Sequence, residues 1–222
     1  MLAMRKEKKQ LSQSSQSSRI EIILKIAISA SLGSLGIVLS TIVVFIPNFE
    51  LISVTIFLIS LMFGVFYGLL TAVSVSLVYE FIVTAMVGPA SYLIIFKLVC
   101  YILLALFAGL SRKVILKLSF WELGIIGSVF ALFYDILITI GFQIAVIQEK
   151  ITISFLMLLL AGGVFFTITH VISNFILFSM TKTILNWIVS AFKARGLKQL
   201  MLPSLIEPND GKISMSSEGG IK

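Results

Sequence analysis

The sequence predicts an all-α polytopic membrane protein with six transmembrane helices and both termini in the cytoplasm. Two observations give the class. Apolar residues make up 59% of the 222 and charged residues only 12%, against about 25% charged in a soluble domain. From Ile20 to about Ile188 the apolar sequence is broken only by short polar loops, and about 18 apolar residues suffice to cross a bilayer. A third observation gives the topology. Arg5, Lys6, Lys8, Lys9, Arg19 and Lys25 flank the first span. Arg112, Lys113 and Lys117 share one loop, and Lys182, Lys193, Arg195, Lys198, Lys212 and Lys222 follow the last span. Only Lys150 falls in an outer loop and only Lys97 inside a span. Basic residues concentrate on the cytoplasmic side, so an even number of crossings follows.

Residues 1–19 read as a disordered, basic, Ser/Gln-rich tail, with no cleavable signal peptide because no small-residue cleavage site follows a short apolar core. Residues 20–190 form the membrane domain. Residues 191–222 read as a cytoplasmic basic and polar tail, disordered or lying on anionic lipid.

Span one runs from about Ile20 to Ile46 and ends at Pro47-Asn48-Phe49-Glu50, where proline disfavours helix in the preceding residue. Leu51 to Val87 is one apolar run. As a single helix it would be about 55 Å long, too long for one crossing. A split at Gly64-Val65-Phe66-Tyr67-Gly68 gives a short second span and a third of normal length. Alternatively, Gly64 and Gly68 form a small-residue packing face on one tilted helix, which would break the charge bias. Gly88-Pro89 makes the next outer turn. Span four covers about Tyr92 to Leu110 and span five about Trp121 to Val146. Gln148-Glu149-Lys150 is a short outer loop, and the sixth span starts near Ile151 and continues past Met180.

The net charge of +7 is accounted for by the membrane asymmetry and does not call for nucleic acid. No GxxxxGK[ST] nucleotide motif and no HExxH metal motif occurs, and one cysteine, Cys100, with one histidine, His170, leaves no metal cluster in the sequence. No cofactor is implied.

Ionisable residues inside lipid cost a few kcal/mol each on insertion scales, about 2.5–3.5 at a helix centre, so those present are singled out. Glu80 and Lys97 each lie about 10 Å below the outer surface on neighbouring antiparallel helices. They form either a packing ion pair or part of a pocket open to the outside. Asp135 and His170 differ in depth by about 5 Å, which side chains bridge. That contact, with Asn174 one turn along, either relays protons or satisfies polar groups between helices. Asn48 and Glu50 stand at the mouth of the bundle, in a lid or in an ordinary solvated turn. Span one carries small residues at four-residue spacing, Ala27 with Ser31, Ala30 with Ser34 and Ser29 with Gly33, which let a second helix approach.

Four segments resemble a known family. Pro47-Asn48-Phe49-Glu50-Leu51-Ile52-Ser53 is similar to the PNxELVT segment of energy-coupling factor (ECF) transporter S components. Phe133-Tyr134-Asp135-Ile136-Leu137-Ile138-Thr139 is similar to their xFDLLTN stretch, and Thr169-His170-Val171-Ile172-Ser173-Asn174-Phe175 to their HxxSNAL stretch. Ala30-Ser31-Leu32-Gly33-Ser34 sits where the family has AxxxA. Ser34 replaces the second alanine, Tyr134 stands where phenylalanine is usual, and the asparagine after Thr139 is missing. The resemblance implies capture of a vitamin or related micronutrient at the outer face. Delivery inward would use a transmembrane coupling subunit and two ATPase subunits. It implies a site lined by Asn48, Glu50, Lys97, Asp135 and Gln143, to which the depth reading adds Glu80. It implies that Ala30 and Ser34 face the coupling subunit. His170 and Asn174 are expected to be structural polar residues. The competing readings are a self-contained secondary carrier or small channel, and an intramembrane enzyme, for which the inventory of nucleophiles, bases and paired acids is poor.

Overall fold

A computed structural model describes residues 2–46, 49, 51–87, 93–147 and 152–197. Every regular element among them is helical. In order they are α1 (Leu2–Ile42), α2 (Ile52–Phe63), α3 (Val65–Val87), α4 (Ile94–Ile115), α5 (Phe120–Phe142), α6 (Ile153–Gly162), α7 (Val164–Ser179) and α8 (Thr181–Ala194). A π-helical turn, Gln143–Ile147, extends α5. Five segments are long and apolar enough to cross a membrane: Ser18–Ile42, Val65–Met86, Ile94–Ile115, Phe120–Ala145 and Val164–Ala194. The chain is therefore built as a multi-pass membrane protein. The expected second and sixth spans are where the structure differs from the sequence reading.

The run from Leu51 to Val87 divides at Gly64, whose φ of +93° is a conformation that side chains resist. The single tilted helix is thereby excluded. Gly68 then packs on Ser60, where an added Cβ would overlap the Ser60 hydroxyl. One glycine makes the reversal and the other lets the two helices close. The second span is only 12 residues long, about 18 Å. Eleven of those residues are buried, as expected of a helix apolar on all sides. Helices α1, α3, α4 and α8 pack around it.

Helix α1 runs parallel to α3. The Lys25 ammonium sits 5.9 Å from the centre of the Tyr67 ring, and a Cβ on Gly33 would come within 2.7 Å of Val75. Ser29, Gly33, Gly36 and Ser40 are buried on the inward side, whereas Ala27, Ala30, Ser31 and Ser34 are exposed. Residues 2–19, expected as an irregular tail, continue this helix. No glycine or proline precedes Gly33, so nothing in the backbone stops the helix from extending. Most of the expected C-terminal tail, from residue 198 on, lies outside the described residues.

Helix α5 starts at a capping box. The Ser119 hydroxyl accepts from the Glu122 N–H, and the Glu122 carboxylate accepts from the Ser119 N–H at 2.6 Å. Its main partner is α7, in the most extensive helix pair of the fold. A Cβ on Gly127 would lie 2.6 Å from the Asn174 carbonyl oxygen and from the Phe178 ring, and the Ser128 hydroxyl donates to the Val171 carbonyl at 3.3 Å. Without a hydrophobic drive between helices in lipid, this backbone-close packing is what holds them.

The expected sixth span is interrupted at Gly162-Gly163. Before it, α6 buries none of its residues, and after it α7 docks on α5. Met180 keeps helical backbone angles, and the helix runs on as α8, which buries Thr181, Leu185 and Val189 at four-residue spacing while Trp187 is exposed. The Lys182 ammonium donates to the Leu118 carbonyl at 3.0 Å, tying α8 to the loop before α5. The amphipathic helix α8 runs to Ala194.

Gly127→Ala is expected to lower stability by about 1–3 kcal/mol, the usual cost of overpacking, because the methyl has backbone on one side and a ring on the other. Gly162→Ala, with nothing within 4 Å of the added atom, leaves thermal unfolding of the detergent-solubilised protein unchanged. Equal melting temperatures for the two variants would contradict the tight α5–α7 contact.

Candidate functional site

The short length of α2 decides where the polar groups of the bundle lie. Gly64 and the Gly68–Ser60 contact set an antiparallel register that places Ile52 level with about Ser76 on α3. The rest of α3, to Val87, extends about 16 Å further. At the other end, Arg112 of α4 lies beside Gly64, its guanidinium 3.2 Å from where a Cβ would be. Counting back along α4 puts Ile52 level with about Cys100. Rings give the register of α5. Phe57 packs on Phe178 at 4.9 Å, and Phe178 packs on Gly127. Asp135, eight residues on, is therefore about 4–5 Å beyond the first turn of α2.

Two buried polar pairs link these helices. On one side the Lys97 ammonium of α4 meets Glu80 Oε2 of α3 at 2.7 Å. On the other His170 Nδ1 of α7 meets Asp135 Oδ1 of α5 at 2.7 Å. Glu80 is only 3% exposed and His170 only 2%. Both contacts agree with the depths read from the sequence. Tyr134 stacks edge-on against His170 with centroids 5.4 Å apart, and Tyr101 of α4 meets Tyr134 at 5.8 Å. These rings form an aromatic layer at the level of the first turn of α2.

Each ion pair uses only part of its hydrogen-bonding capacity. Glu80 Oε1, Asp135 Oδ2 and His170 Nε2 are buried without a hydrogen-bond partner. The Ser53 hydroxyl, in the first turn of α2, is also fully buried and without a partner. The residue before α2, Leu51, offers no side-chain cap, so the first backbone N–H groups of α2 end at the same place. Buried polar groups are satisfied in the great majority of cases, so these four atoms, among ten such buried atoms in the described residues, make the α3–α4 and α5–α7 pairs the candidate polar site.

Asn174 lies one turn from His170, fully buried, its amide donating to the His170 carbonyl at 3.1 Å. That supports the helix locally and is a structural role. Gln143 is fully buried at the start of the π-helical turn, about two turns beyond Asp135. Near it, Gly141 of α5 meets the Phe96 ring of α4, so Gln143 follows a point where these two helices close. Asn48 and Glu50 lie outside the described residues. Ala30 and Ser34 stand apart from these groups, on the exposed face of α1.

The sequence reading missed Ser53, Tyr101 and Tyr134 as site residues. Ser53 was visible as a hydroxyl in the first turn after a proline-containing loop, and the two tyrosines as the polar-tipped aromatics nearest Lys97 and Asp135. It also missed the small-residue face of α5, Gly124, Gly127 and Ala131, although its i, i+3, i+7 spacing is legible. Among the described residues no three His, Cys, Asp or Glu side chains come together as a metal site.

No protein-family model, no curated protein and no solved structure matches this chain.

Lys97→Met leaves the Glu80 carboxylate buried without its partner and is expected to cost about 3–5 kcal/mol. The double variant Glu80→Gln/Lys97→Met recovers most of that loss, because no isolated charge remains. Thermal unfolding of the single and double variants measures this coupling, and additive losses would show that the pair is not formed.

Proposed function

We propose that this protein is the substrate-binding subunit of an importer of the energy-coupling factor type. It captures a small micronutrient of the vitamin class and delivers it inward with a membrane coupling subunit and ATPase subunits. The observation that carries the reading is a set of unpartnered buried groups. The Glu80–Lys97 and Asp135–His170 contacts join neighbouring helices and leave Glu80 Oε1, Asp135 Oδ2 and His170 Nε2 buried without a hydrogen-bond partner. Buried polar groups in a membrane domain are expensive and mark ligand or ion pathways.

Three further features support it. The four sequence segments that resemble S components include Asp135 and His170, which pair, and Ser53, whose hydroxyl is buried without a partner. The basic residues Arg112, Lys113 and Lys182 lie at the opposite end of the bundle from these groups, so the positive-inside rule favours an outward-facing site with both termini toward the cytoplasm. In a bacterial or archaeal cell that membrane is the plasma membrane. Finally, Ala27, Ala30, Ser31 and Ser34 present small residues on the exposed face of α1, where a coupling helix would approach closely. Energy from elsewhere fits a chain without a nucleotide motif.

Mass spectrometry of small molecules released from the gently purified protein tests the binding role directly. A vitamin-sized compound at a one-to-one ratio is expected. No retained compound, even after incubation with a vitamin panel, would overturn the reading in favour of a carrier. Replacing Ala30 and Ser34 with Leu is expected to leave that ratio unchanged while reducing copurification of the coupling subunit severalfold. Undiminished copurification would remove α1 as the docking helix.

A further inference from the structure

We propose that α8 is an interfacial helix that docks on anionic phospholipid of the cytoplasmic leaflet, and is not the end of a membrane crossing. The inference stands on the helix itself and does not need the binding role proposed above.

Length comes first. Val164–Ala194 is a helical stretch of 31 residues, apolar enough to be taken for one span. At about 1.5 Å per residue it is about 46 Å long, against about 30 Å of hydrocarbon. One end therefore leaves the hydrocarbon, and Lys182 marks which. Its ammonium donates to the Leu118 carbonyl at 3.0 Å, in the loop that carries Lys117 and follows Arg112 and Lys113 of α4. From Lys182 onward the helix lies at or beyond the level of that basic loop. Its end is built in. Gly196 takes φ of +71°. The Gly196 N–H donates to the Lys193 carbonyl at 3.2 Å and the Leu197 N–H to the Phe192 carbonyl at 2.9 Å. This is the Schellman arrangement, which stops a helix. The 14 residues of α8 span about 21 Å, too short to cross by themselves.

The faces of α8 differ in chemistry. Thr181, Leu185 and Val189 are buried against the bundle, flanked by the partly buried Ile184, Ile188 and Phe192. The apolar arc does not stop where the bundle does. At about 3.6 residues per turn, Ala191 and Trp187 extend it on one side, and Trp187 is 68% exposed. The opposite arc carries Lys182, Asn186 and Ser190, all exposed. An indole so exposed is costly in water, and Lys182 beside Asn186 is costly in hydrocarbon. A helix lying in the headgroup boundary satisfies both faces, and tryptophan is enriched at that boundary.

Charge selects the lipid. Lys182, Lys193 and Arg195 stand on α8 and its cap, and Lys113 and Lys117 on the adjoining end of α4 and its loop. Glu122, the carboxylate at the start of α5, is engaged by the N–H and hydroxyl of Ser119. Basic residues beside one apolar arc are attracted to an anionic leaflet, each by about 1 kcal/mol.

The chain has two tryptophans, Trp121 and Trp187. Trp121→Phe keeps a ring against Phe120 and Phe175 and leaves Trp187 as the sole indole. The full-length variant is placed in nanodiscs of phosphatidylcholine and phosphatidylglycerol, with bromine either high on the acyl chain or near its end. Trp187 fluorescence is expected to be quenched more by the upper label than by the lower, and only weakly by aqueous acrylamide. At equal mole fraction, brominated phosphatidylglycerol is expected to quench at least about twofold more than brominated phosphatidylcholine. The variant Lys113→Gln/Lys117→Gln/Lys193→Gln/Arg195→Gln spares Lys182 and its bond to Leu118. It is expected to lose most of the phosphatidylglycerol preference and to keep the depth. Should Trp121→Phe fail to fold, subtracting the signal of Trp187→Phe from that of the unaltered protein isolates the same indole. Stronger quenching by the lower label would put α8 in the hydrocarbon. Quenching by acrylamide alone would leave its open face to water or to a protein partner. Equal quenching by the two headgroups, or a preference that survives the four substitutions, would remove the anionic lipid. Each of these results overturns the proposal.

Discussion

The reversal at Gly64 is the constraint on which the rest of the architecture depends. A residue with a side chain resists φ of +93°. With glycine there, the apolar run from Leu51 folds back on itself within one residue. The first arm becomes a 12-residue helix enclosed on nearly every side. A helix of about 18 Å cannot fill a bundle built from neighbours of about 30 Å or more. The helices α3, α4, α5 and α7 therefore run on past its N-terminus, and Glu80, Lys97, Asp135 and His170 stand on them.

Many hydroxyl groups in the bundle are satisfied within their own helix. Thr41, Ser60, Thr71, Ser74, Thr139 and Thr169 each donate to the carbonyl four residues earlier, the usual solution for Ser and Thr in a membrane helix. Carboxylates and imidazole have no such local option and must pair between helices. Glu80 with Lys97 joins α3 to α4, and Asp135 with His170 joins α5 to α7. Each pair also leaves one or more atoms without a partner. Structural stapling and unsatisfied polar atoms are thus two aspects of the same contacts.

Helix α1 shows how one sequence pattern divides into two roles. Its small residues recur around much of its circumference. Ser29, Gly33, Gly36 and Ser40 are used inside the protein, against α2 and α3, while Ala27, Ala30, Ser31 and Ser34 are left outward. The helix is close-packed on one side and equally able to be close-packed on the other.

The sequence by itself determined the membrane-embedded helical class, the loop at Gly64, the pairing of Glu80 with Lys97 and of Asp135 with His170, and the charge asymmetry. These follow from composition, from residues with restricted backbone angles, and from the fixed rise of a helix, which converts residue number into depth. Depth does not give azimuth or how far a neighbour extends. The burial of Ser53, the aromatic layer of Tyr101 and Tyr134, the glycine-lined crossing of α5 and α7, and the split of α1 into two small-residue faces depend on which helices meet. The break at Gly162-Gly163 and the separate amphipathic helix α8 were hidden because both lie in sequence apolar enough to read as one continuous span. Tertiary structure also decided which individual oxygen and nitrogen atoms of these pairs lack a partner, because that depends on their direction once the helices have packed.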